Sequence, residues 1–117
     1  MKKKEERLAE RVPLEHTFVH VHTEKVQEQK ELRGDIYDIS TVGIRFVSKK
    51  PFTIGSKIYL SLLLPNGTSL SDIACEVLRS EKKNGNYYIA IAFTDLDFYQ
   101  KSMVKDYIRL MKLRSDF

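Results

Sequence analysis

Apolar residues recur with a period of two through most of the chain and with a helical period only near its end. In residues 16–23, HTFVHVHT, Val19 and Val21 share one face and Phe18, His20 and His22 the other. That alternation predicts a half-buried strand. Residues 31–39, ELRGDIYDI, place Leu32, Gly34 and Ile36 on one side, and Gly34 predicts a bulge or a close backbone approach. GIRFVS follows, with Ile44 and Phe46 inward. Residues 57–64 turn Ile58, Leu60, Leu62 and Leu64 inward, and residues 69–80 do the same with Ile73, Cys75 and Val77. YYIAIAF then aligns Tyr87, Ile89, Ile91 and Phe93. Asn66-Gly67 and Asn84-Gly85 separate the last three runs, a meander signal, because Asn-Gly suits the positive φ angles of a type I′ turn. Six short antiparallel strands with modest connections predict an all-β fold in a closed or nearly closed barrel, which removes exposed edges.

The period changes after Asp97. Met103, Val104, Tyr107, Ile108 and Met111 share one side of a helix, with Lys101, Lys105, Arg109 and Lys112 on the other. Asp97 and Gln100 have the spacing of a capping box. The first dozen residues are charged and poor in apolar anchors. The expected organisation is a flexible arm over 1–12, a barrel over 13–95 and a helical segment over 96–117.

Composition narrows the function. The longest apolar runs, Leu62–Leu64 and Tyr87–Phe93, fall far short of the ~20 residues of a membrane span. One cysteine, Cys75, excludes an internal disulfide framework and fits a reducing, cytoplasmic address. The net charge of +4 is concentrated at the two ends: residues 1–11 carry five basic side chains against three acidic, and residues 101–114 five against one. A middle without net positive charge disfavours a nucleic acid polymer as partner. A single-strand-binding barrel would also need aromatics along a positive groove, whereas here they fall mostly on core-facing positions. His16, His20 and His22 share a parity that could serve zinc with Cys75, but no ligand-spacing signature supports a metal site. Phosphate loops and metalloprotease or hydrolase signatures are missing, and no carboxylate pair is fixed, so no enzyme activity is expected.

Two short patterns remain. Arg7-x-x-x-Arg11 precedes Val12-Pro13-Leu14. Two guanidiniums on one segment can close on an anion, and arginine also reads guanine O6 and N7 through its fork. Asp38-x-Ser40-x-x-Gly43 lies between the second and third strands. Asp38 can accept from guanine N1–H and the 2-amino group, Ser40 can donate to a phosphate, and Gly43 permits close approach of ligand and backbone. Each pattern alone is weak, since one is an ordinary helix face and the other an ordinary turn.

Together, with Asp38 27 residues after Arg11, they are far more specific, and the chain resembles the PilZ domain family. RVPL, RGDIYDISTVGIRF, PFTIGSKIYLSLLLP and YYIAIAFTDLD carry the likeness over about residues 7–95. The resemblance implies a six-stranded antiparallel barrel and a bacterial receptor for the second messenger cyclic di-GMP. It implies that Arg7 and Arg11 grip guanine and phosphate while Asp38, Ser40 and Gly43 form the loop on the barrel surface. One departure is Ala90, where the family usually has glycine at the start of the Gly-apolar-x-Phe run. The expected mechanism is ordering of the arm on the ligand, read by a protein effector. The alternative is a PilZ-fold adaptor without useful nucleotide affinity.

Overall fold

Strand β2 (Phe18–Thr23) pairs antiparallel with both β3 (Leu32–Ile39) and β5 (Lys57–Leu63). From β5 the ladder runs through β6 (Ser69–Lys83) and β7 (Asn86–Phe93) to β4 (Gly43–Ser48), and β4 returns to β3. Six antiparallel strands thus close into a barrel. The structure is a computed structural model that describes residues 11–14, 17–23 and 32–115. A two-residue strand, β1 (Val12–Pro13), adds to β3, with Val12 opposite Ile39 and Pro13 opposite Asp38. The Leu14 N–H donates to the Tyr37 carbonyl and the Ile36 N–H to the Thr17 carbonyl, each at 3.0 Å. Among the described residues the sheet therefore begins at Val12, one residue inside the segment expected to be a loose arm.

The alternating positions do fill the barrel. Val19, Val21, Ile44, Phe46, Ile58, Leu60, Ile73, Cys75, Val77, Ile89 and Ile91 are all buried. Burying a side chain of this size contributes about 1.5–3 kcal/mol, so the core carries the fold. Gly34 meets this core by close packing: a Cβ there would stand 2.5 Å from Cδ2 of Phe46. The aromatics are more divided than their strand parity suggests. Phe46 and Tyr107 are fully buried, whereas Phe18, Tyr37, Phe98 and Tyr99 are exposed.

Bulges adjust the alternation on three ladders, and the one between β6 and β7 leaves Leu78 as the extra residue. On β3, Ile36 faces Phe46 and Asp38 faces Arg45, which leaves Tyr37 as the extra residue. On β6, Leu70 faces Leu62 and Ile73 faces Leu60, so Ser71 and Asp72 together oppose Ser61. Asp72 takes a left-handed φ of 51°.

The two Asn-Gly turns differ. Asn84 and Gly85 have φ of 55° and 80°, as a type I′ turn requires. At the other turn only Gly67 is left-handed, at 91°, and its N–H donates to the Leu64 carbonyl. Pro65 explains the change, because its ring fixes φ near −65° and starts an ordinary turn that Gly67 completes.

Helix α1 (Phe98–Ser115) begins with the expected box. The Asp97 N–H donates to Gln100 Oε1 at 3.2 Å, and the Gln100 N–H to Asp97 Oδ1 at 2.7 Å. Its buried Val104, Tyr107 and Ile108 join the barrel core, and it packs against β1. No helix among the described residues is long and apolar enough to cross a membrane.

Candidate functional site

Strict alternation along β3 would place Asp38 on the same side as Gly34 and Ile36, inside the barrel. The bulge at Tyr37 prevents this. It turns Asp38 outward opposite Arg45 and returns Ile39 to the core. Arg45 is outward because its neighbours Ile44 and Phe46 are buried. β1 then delivers Arg11 to the same place, since Pro13 pairs with Asp38 itself.

The result is a carboxylate held between two guanidiniums. Arg11 Nη1 donates to Asp38 Oδ1 at 3.1 Å. Arg45 Nε lies 2.9 Å from each carboxylate oxygen, and its Nη2 also donates to Oδ2. The Asp38 side chain is 10% exposed, against 32% for Arg11 and 35% for Arg45. Asp38 is therefore the covered centre, and the arginines are its partly wet lids. The hydrogen bonds to Asp38 raise the Arg45 pKa further above its ordinary value, against the opposing cost of burial.

Ser40 and Gly43 build the loop from within. The Ser40 hydroxyl accepts from the Val42 and Gly43 N–H groups at 3.1 and 3.2 Å, and the Ser40 N–H donates to the Gly43 carbonyl at 2.9 Å. Ser40 is fully buried. Its hydroxyl fixes the loop here by accepting from these two backbone N–H groups. Gly43 permits close approach as expected, but to the protein's own backbone: a Cβ there would land on the Ile91 carbonyl oxygen. Arg7 lies outside the described residues.

Sequence reasoning missed Arg45 and the residues beyond it. Tyr37, Arg79, Lys83, Tyr88 and Ala90 line a hollow of about 180 Å3 beside Arg45. The Arg45 guanidinium lies 5.1 Å from the Tyr37 ring centroid, and Tyr37 meets Tyr88 edge to face. Ala90 pairs with Arg45 on one side and with Arg79 on the other. The outward parity of Arg45 within GIRF was the available signal.

His22 Nε2 lies 3.0 Å from Asp72 Oδ1 on the outer wall, while Cys75 is buried inside it. Burial pushes the Cys75 thiol up to about 12. Among the described residues no group of three or more His, Cys, Asp or Glu could hold a metal ion, and His16 lies outside them.

A family model described as PilZ domain matches residues 3–110, nearly the whole chain. The chain belongs to the PilZ domain family. This PilZ domain also resembles solved structures of low sequence identity. YcgR from Escherichia coli in complex with c-di-GMP is 9% identical, with a TM-score of 0.77 over 92% of this chain and 46% of that one. The complex of K. pneumonia MrkH with c-di-GMP is 17% identical, with a TM-score of 0.77 over 92% of this chain and 53% of that one. The Bacillus subtilis inhibitor of motility, MotI/DgrA, is 18% identical, with a TM-score of 0.72 over 89% and 49%. The chain thus spans about half the length of these three, and the likeness shows the shared fold. No curated protein matches it by sequence.

Proposed function

We propose that this PilZ domain is a noncatalytic bacterial receptor for cyclic di-GMP, bound through Arg7, Arg11 and Asp38 on a loop shaped by Ser40 and Gly43. The observation that carries the reading is the Arg11–Asp38 pair. Two motifs 27 residues apart in sequence meet at 3.1 Å on the barrel surface. Arginine forks suit phosphate and the O6/N7 edge of guanine, and a carboxylate suits N1–H and the 2-amino group. The similar YcgR and MrkH structures are complexes with c-di-GMP, which supports the same ligand here.

Signalling follows from where Arg11 sits in the chain. Val12 and Leu14 directly after it are buried in the core, and α1 packs on β1. Fixing Arg7 and Arg11 on a ligand therefore acts on a segment wedged between β3 and α1, and a protein effector reads the changed surface. Ordering costs about 1–2 kcal/mol of backbone entropy per residue fixed, so affinity reflects the surplus of contacts over that cost.

Calorimetric titration with cyclic di-GMP, with cyclic di-AMP and GTP as controls, tests the ligand and its stoichiometry. Removing residues 1–6 should leave binding intact. Removing 1–11 should abolish it while the barrel still folds. The second reading, an adaptor that works by protein contacts alone, draws on one observation: Asp38 already has partners for both oxygens. A folded protein showing no heat of binding with cyclic di-GMP would favour it.

A further inference from the structure

Arg45 occupies the edge of Asp38 that a guanine would need. Its Nε spans both carboxylate oxygens at 2.9 Å, and Nη2 adds a bond to Oδ2. Guanine offers N1–H and the 2-amino group to the same edge, so fork and base cannot hold it together. A base that reads Asp38 must displace Arg45. The displaced guanidinium moves out over the adjacent hollow, lined by Tyr37, Arg79, Glu81, Lys83 and Tyr88, whose one carboxylate, Glu81, is already paired with Arg79 at 3.4 Å. Two of those neighbours are cations, and like charges repel. An anion brought by the ligand removes that penalty.

We propose that Arg45 is a specificity-determining residue that makes the site answer to a guanine edge and a phosphate only when one ligand carries both. The inference rests on the cyclic di-GMP reading of the site. In the free protein the Asp38 anion is matched by Arg45. In the bound protein Asp38 accepts from a neutral base, and Arg45 is matched by a phosphate anion. Guanosine brings the donors without the anion and strands Arg45 beside Arg79 and Lys83. Cyclic di-AMP brings the phosphates without the donors, so Asp38 keeps Arg45 and the base gains nothing. Guanosine thus leaves Arg45 badly paired, whereas cyclic di-AMP leaves the resting pair intact and gains no base contact.

The test titrates the wild-type protein, Arg45→Met and Arg45→Lys with cyclic di-GMP and with guanosine. It also follows the Arg45 Nε–H resonance by NMR in the wild-type protein. Arg45→Met frees the Asp38 edge, so guanosine should bind it about tenfold more tightly than wild type, and the preference for cyclic di-GMP should fall by at least about tenfold. Arg45→Lys keeps the cation without the fork and should fall between. The Nε–H resonance should shift when cyclic di-GMP saturates the protein, with or without a stable Met variant. Unchanged guanosine affinity in a folded Arg45→Met protein, or an unmoved Nε–H at saturation, would overturn the exchange and leave the cyclic di-GMP reading standing. Failure of wild type to bind cyclic di-GMP would overturn that reading, and the exchange with it.

Discussion

Two bulges on this barrel each leave an aspartate on the outer wall, and only one of them sits in a candidate site. The bulge on β3 sets Asp38 against Arg11 and Arg45, with the side chain 10% exposed. The bulge on β6 sets Asp72 against His22 alone, with the side chain 74% exposed. Both carboxylates are about 3 Å from a nitrogen donor, at 3.1 Å for Arg11 and 3.0 Å for His22. The difference is convergence. The segment entering β1, together with β3 and β4, closes on the Asp38 carboxylate, whereas at Asp72 β5 is met through the backbone, the Asp72 N–H donating to Ser61 Oγ at 2.9 Å, and the carboxylate reaches out to His22 of β2. Water shares the second pair and screens it, so it contributes little. At Asp38 the carboxylate is largely withdrawn from water, and the arginines must satisfy it.

The largest effect expected belongs to the loop under Asp38. Gly43→Ala drives a methyl into the β7 backbone, a collision that no rotamer relieves, and should destabilise the fold by about 3 kcal/mol, measured by denaturant unfolding. At the other bulge, Asp72→Gly removes the left-handed strain along with the exposed pair and should change stability by less than about 0.5 kcal/mol. Comparable losses at both positions would erase the distinction between the two bulges.

Next comes ligand binding. Arg11→Ala should weaken cyclic di-GMP by about 1–3 kcal/mol in calorimetry. The same change should lower stability by less than about 1 kcal/mol, because Arg11 is partly wet and Arg45 still covers Asp38. Cyclic di-AMP should bind at least tenfold more weakly than cyclic di-GMP, about 1.4 kcal/mol. Equal affinities would remove the role of Asp38 in reading the base. The smallest effect is at the control site. His22→Ala should leave cyclic di-GMP affinity unchanged and shift stability by less than about 0.5 kcal/mol.

The inward residues of β4 and β5 and the paired Ile89 and Ile91 were legible because a strand reports its buried face locally, every second residue. The helix and its Asp97–Gln100 box were legible for the same reason. The bulge at Tyr37 was not. Ile36-Tyr37-Asp38-Ile39 places two isoleucines three residues apart, and only pairing with β1 and β4 decides that both point inward. β1 was missed because two residues cannot display a period. The two motifs were readable as a spacing. That Arg11 rests on Asp38 and that Arg45 covers the same carboxylate are contacts between separate strands, and neither leaves a trace in local pattern. The buried hydroxyl of Ser40 belongs with these, since its partners are set by the turn that Gly43 makes against β7.

The extra residue on β3 has an evolutionary corollary. That residue, Tyr37, is about two fifths exposed, at 38%, so substitution there is structurally cheap. Deleting it is a different event. The ladder would return to even counting, the Asp38 carboxylate would swing into the hydrocarbon interior, and Ile39 would be cast out to water. A descendant of this chain can therefore drift in the letter at this position but not in the count of letters. Between Ile36 and Asp38, the fold constrains length more strictly than identity.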